Sequence, residues 1–141
     1  MTDVYILPDD LPIPVDDGAC DHLIGLKLPD LTLRATGGLD VNVSKQTGLV
    51  ALYCYPMTGR PGIALPDDWD AIPGARGCTP QSCAFRDYYT ELKHLGCEII
   101  GLSTQTPEYQ HEMATRLHLP FNILSDHHTV VGCQPARIPI R

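Results

Sequence analysis

Cys78 and Cys83, in the segment GCTPQSCAFRD, are the residues of this 141-residue chain whose types and spacing suit nucleophilic or redox chemistry. Thr79 can cap a helix and Pro80 fits a first helical position, so Cys78 falls at a helix start. Backbone donors and the positive end of the helix dipole favour the thiolate there, and the thiolate is the nucleophile. Arg76 and Arg86 are close enough in sequence to add positive charge. Cα atoms at this helical spacing stand ~8.5 Å apart, whereas a disulfide needs them within roughly 7 Å. The two can join only if the first turn unwinds, which suits a switch between a reduced helical form and an oxidised, locally unfolded one. Two other readings stay open: Cys83 as a small buried hydrophobe, the usual state of a helix cysteine, and zinc, which a single CxxxxC without a second close pair matches poorly.

Of the six cysteines, Cys54 in mid-strand and Cys97 at a strand start are expected in the core, while Cys20 and Cys133 have no assigned place. The pair His127-His128 is expected to point in different directions in a solvated turn, and no histidine has helical spacing to a carboxylate or thiolate that would suggest a metal site. Phosphate loops of the GxxxxGK[ST] or GxGxxG type are absent.

The elements that position the pair follow from periodicity. LKLPDLTLRATGG alternates apolar and polar residues (Leu26, Leu28, Leu31, Leu33) and stops at Gly37 and Gly38, as a short strand or hairpin would, with Val41 and Val43 as its partner. LVALYCY (Leu49 to Tyr55) is apolar on both faces and predicts a central strand of a covered sheet. A Pro- and Gly-rich loop at 56–77 separates it from the cysteine helix. Loops of this length are often lids, with Trp69 and Arg60 as candidate contacts, or longer surface excursions. Phe85, Tyr88, Leu92 and Leu95 recur at helical spacing until Gly96. CEIIGLS (Cys97 to Ser103) predicts a second buried strand. Thr106 and Pro107 open another helix with Tyr109, Met113 and Leu117 on its apolar face, ending at Pro120. Phe121 to Leu124 suits a short strand, with Asp126 capping a further turn. Strands and helices in this order predict βαβ units with a parallel pair at the heart of an α/β domain.

The formal charge is −7, and Asp3, Asp9, Asp10, Asp16, Asp17 and Asp21 fall in a stretch with no Lys or Arg. Residues 1–21, with Pro8, Pro12 and Pro14, predict an extended acidic arm, and residues 22–141 one domain. The lack of a basic stripe argues against nucleic acid. No apolar run approaches a membrane span, and the acidic start is unlike a secretory signal. A cytoplasmic protein whose thiols stay reduced is the expectation.

The cluster GCTPQSCAFRD, with the helix YYTELKHLG, the strand EIIGLST, LKLPDLTL, the LVALYCYP strand and FNILSD, resembles the peroxiredoxins. It is most similar to the peroxiredoxin Q or bacterioferritin-comigratory type. The resemblance implies a thioredoxin-like fold and a thioredoxin-dependent peroxidase reducing hydrogen peroxide and organic hydroperoxides without a cofactor. Cys78 would attack the peroxide and become a sulfenic acid, Cys83 would resolve it to a disulfide, and a thioredoxin-type reductant would restore both thiols. Where the family has a threonine and a proline before the first cysteine, this chain has Ala75 and Ala71. Thr58 is then the candidate peroxide contact and Arg137 the candidate thiolate stabiliser. The resemblance further implies that the C-terminal hairpin and helix are missing or shortened. Leu49 to Tyr55 would then be left with an unpaired edge, in a monomer or weak homodimer.

Overall fold

The computed structural model describes residues 7–128. Five strands form one sheet in the order β2-β1-β5-β4-β3: β1 (Thr32–Ala35), β2 (Asp40–Asn42), β3 (Leu49–Cys54), β4 (Cys97–Ser103) and β5 (Asn122–Ser125). β3, β4 and β5 run parallel, with Leu49 opposite Cys97 and Ile100 opposite Asn122. β1 is antiparallel to both β2 and β5. Three α-helices follow among the described residues, α1 (Cys78–Asp87), α2 (Tyr89–His94) and α3 (Pro107–Arg116), besides short 3-10 turns at Asp21–Leu23, Val43–Lys45 and Trp69–Ala71.

Alternation along the strands divides the core in two. Tyr53, Tyr55, Ile99 and Ile123 point to the face that carries the helices, where they pack on Cys78, Met113, Leu117 and Phe121. Ile100, Leu102 and Leu124 point to the other face with Leu33, Ala35 and Val43. β4 is buried on both faces and lies between two parallel neighbours, as its apolar run predicts.

Several expectations are corrected. Leu49 to Tyr55 is not the central strand its apolar run predicts: among the described residues β3 is an edge, the unpaired position the resemblance implies, and its exposed and half-buried side chains fit that position. Leu26 and Leu28 lie outside any strand and are exposed, because the hairpin begins only at Thr32. The cysteine helix begins at Cys78 itself after Gly77, which supplies no side-chain cap, so Thr79 and Pro80 lie inside the first turn. That helix also breaks at Tyr88. The break turns Tyr88 and Leu95 outward and leaves Phe85, Tyr89 and Leu92 packed on the core. The Thr106 cap of α3 is present, its hydroxyl accepting from the Tyr109 N–H. Of the arm, Pro14 lies against Gly74 in the loop before Cys78.

Candidate active site

Cys78 opens α1 at the end of the sheet where the parallel strands terminate, the usual place for sites in such sheets. Its side chain is buried among Tyr53, Tyr55 and Met113. Two opposed effects act on the sulfur. Burial disfavours the thiolate and pushes the thiol up, while the backbone N–H groups of Met57 and Cys78 point at the sulfur and pull it down; burial prevails. The thiol is also within 4.0 Å of the Ala75 carbonyl oxygen. Neither flanking arginine spends its charge on Cys78. The Arg76 guanidinium is buried and donates to both Asp70 carboxylate oxygens, Nε at 2.5 Å and Nη2 at 3.0 Å. Arg86 pairs with Asp87 and donates to the Leu117 carbonyl, with Cys83 as its neighbouring thiol.

The first turn of α1 is held from the sheet. The Tyr53 hydroxyl donates to Ser82 Oγ at 3.0 Å, and Ser82 Oγ donates to the Cys78 carbonyl at 3.0 Å. Ser82 is fully buried, and Tyr53 stacks on Phe85 at 4.7 Å between ring centroids. Cys83 follows on the same helix, half-buried against the same core. Both cysteines are free thiols on an intact helix.

The 56–77 loop covers the sulfur. Its first part is fixed by Gln105, whose Oε1 accepts from both the backbone N–H and the hydroxyl of Thr58, and by Arg116, which donates to the Gly59 carbonyl. Its last part is fixed by the Arg76–Asp70 pair and by Trp69, whose indole N–H donates to the Ala75 carbonyl at 3.1 Å. A cavity of about 20 Å³ remains beside Cys78, bounded by Met57, Leu65, Trp69, Ala75, Arg76 and Thr79 among others. That is room for about one water.

Cys78 and Cys83 thus share one helix below this loop. Thr58 is 1% exposed and does not border the cavity; its hydroxyl is engaged with Gln105. Trp69 does border the cavity, whereas Arg60 faces Glu112 of α3 at 4.0 Å. Arg137 and Cys133 lie outside the described residues. Cys97 is buried as expected. Cys54 is not in the core but exposed, because it ends the edge strand on the side away from Cys78, where Cys20 lies within electrostatic reach. The rings of His127 and His128 lie side by side, 3.8 Å between centroids, rather than apart. Among the described residues no three His, Cys, Asp or Glu side chains are grouped to hold a metal, and no helix is long and apolar enough to cross a membrane.

Sequence reasoning missed Tyr53, Ser82, Gln105 and Gln110. Gln110 is fully buried on α3, and its amide donates to the Ser103 hydroxyl and the Leu124 carbonyl, both at 2.8 Å, tying the ends of β4 and β5 together. A glutamine on the apolar stripe of a predicted helix was the available signal.

Residues 71–134 match the model of the AhpC/TSA family. The chain is 37% identical over 103 residues to a chloroplastic peroxiredoxin Q of Oryza sativa subsp. japonica, covering 72% of this chain and 41% of that protein. It is 29% identical over 130 residues to peroxiredoxin bcp1 of Schizosaccharomyces pombe, covering 86% of this chain and 58% of that protein. The chain therefore spans only about half the length of the curated relatives it matches. A crystal structure of the peroxidoxin BcpB from Mycobacterium tuberculosis superposes with a TM-score of 0.59 at 26% identity, covering 76% of this chain and 61% of that one. The fold is thioredoxin-like, and the chain carries an AhpC/TSA domain that is similar to those of the peroxiredoxin Q proteins.

Proposed function

We propose that this protein is a thiol-dependent peroxidase in which Cys78 attacks hydrogen peroxide or an organic hydroperoxide. The observation that carries this reading is the setting of Cys78: first residue of α1, backbone N–H groups of Met57 and Cys78 that favour its thiolate, a small cavity beside it, and a second thiol on the same helix. The sulfur of the thiolate bonds to one peroxide oxygen as the O–O bond breaks; the leaving oxygen takes a proton and departs as water or alcohol. The Cys78 sulfenic acid then condenses with the Cys83 thiol, releasing water and forming a disulfide. A thioredoxin-type dithiol reduces that disulfide by exchange. In this scheme Thr58 holds the loop through Gln105 rather than touching peroxide.

Stopped-flow oxidation followed by mass spectrometry tests the scheme. Rapid reaction at micromolar hydrogen peroxide, lost in Cys78→Ser, with a Cys78–Cys83 cross-link in the wild type, is the expected result. A rate equal to that of free cysteine would exclude it. One observation favours a second reading, a thiol pair that responds to redox state without peroxidase turnover: the burial that holds the Cys78 thiol up. Slow oxidation that still ends in the same disulfide would identify it.

A further inference from the structure

The middle of the 56–77 loop encloses a groove of about 740 Å³, within the range of small-molecule sites. The groove is lined by this loop alone, residues 62–71 and Arg76. It adjoins the cavity at Cys78, because Leu65, Trp69 and Arg76 border both. Ile63, Leu65, Pro66 and Trp69 give it an apolar side, and Ile63 is 57% exposed with no described strand or helix packed over it. Asp67 and Asp68 give it a negative side. Asp70 does not add to that charge, since its carboxylate is neutralised by Arg76.

We propose that this groove selects the organic part of the substrate: it takes the apolar group of an uncharged hydroperoxide, whose –OOH end reaches Cys78 through the shared cavity, and disfavours hydroperoxides carrying a carboxylate. The inference rests on the peroxidase reading above and adds a discrimination to it. Burial of the apolar group against Ile63, Leu65 and Trp69 favours binding. A carboxylate in the same place meets Asp67 and Asp68. Two like charges about 7 Å apart in water repel enough to change a rate roughly threefold.

The test compares cumene hydroperoxide with its para-carboxylate on the whole chain by stopped flow, with hydrogen peroxide as the reference on every variant. The neutral compound is expected to react at least roughly threefold faster than the anion. In Asp67→Asn/Asp68→Asn the ratio should fall toward one; asparagine suits the left-handed backbone of Asp68, whose φ is 59°. In Ile63→Glu the ratio should widen. Glu91→Gln, on the exposed side of α2, removes the same kind of charge away from the groove and should leave the ratio in place. Equal wild-type rates, a ratio unmoved by the loop variants, or a ratio moved as far by Glu91→Gln would overturn the groove. If hydrogen peroxide itself reacts no faster than with free cysteine, it is the peroxidase reading that fails, and the groove's role with it.

Discussion

Cys78 holds its sulfur between two backbone donors that favour the thiolate and a buried setting that opposes it. With burial prevailing, the closed reduced form keeps mostly the thiol at neutral pH. Its reaction with hydrogen peroxide should therefore keep rising as pH passes the ordinary thiol value of about 8.5, where a thiolate stabilised by charge would level off below pH 7. Single-turnover rates between pH 6 and 10 check this. Arg76 explains why no charge offsets the burial, since it borders the cavity but is bound to Asp70 through two hydrogen bonds. Asp70→Asn should free that guanidinium to act on the sulfur. The midpoint of the pH–rate profile should then fall by about one pH unit, as an opposite charge at close range does, with Arg76→Gln abolishing the gain. A midpoint that stays put in Asp70→Asn would mean that the guanidinium does not reach the sulfur.

At the scale of elements, the first turn of α1 must open before Cys78 and Cys83 can meet, and its opening breaks the chain from Tyr53 through Ser82 to the Cys78 carbonyl. Each such bond contributes about 1 kcal/mol net. Tyr53→Phe and Ser82→Ala should each speed disulfide formation roughly fivefold with less effect on the preceding attack. Trp69 is the chain's one tryptophan, and its indole N–H shares the Ala75 carbonyl with the Cys78 thiol. Its fluorescence should report the opening, and identical second phases in wild type and Tyr53→Phe would show that this chain of bonds does not hold the turn. The pair and the need to unwind were readable from spacing, because helix geometry fixes distances along one chain. The bonds that restrain the turn were not, because Tyr53 and Ser82 come from different elements and look like ordinary strand and helix residues. The helix register misled for a similar reason. Phe85-Tyr88-Leu92 and Phe85-Tyr89-Leu92 both satisfy helical spacing, and only the break at Tyr88 decides between them.

Over the whole molecule, the parallel units were legible from two apolar runs and two helix starts, since β4 is buried on both faces and α3 is capped by Thr106. What the runs could not convey is strand order: β3 and β4 are similarly apolar, yet β3 lies at the edge among the described residues. The loop's groove was equally hidden, because its walls are set by the Arg76–Asp70 pair and the Trp69–Ala75 bond rather than by any periodicity. One packing choice reaches across the sheet to stability. A Cβ on Gly101 would come within 2.7 Å of Ile123 and 2.9 Å of Tyr53, so Gly101→Ala should cost about 1–3 kcal/mol by overpacking, read from denaturant midpoints. The same core buries the phenol groups of Tyr53 and Tyr55, and burial pushes the Tyr55 hydroxyl up from 10.0 to about 12 and Tyr53 further. A group raised in this way contributes stability that is fully present below its unfolded value and is lost as pH climbs to the folded one. Between about pH 10 and 12 the domain should lose of order 2 kcal/mol through Tyr55 alone. The Tyr55 hydroxyl approaches Ser103 without completing a hydrogen bond of good geometry, so Tyr55→Phe should cost little at pH 7 while flattening the alkaline fall in the urea midpoint. An equally steep fall in Tyr55→Phe would assign the alkaline loss to other groups.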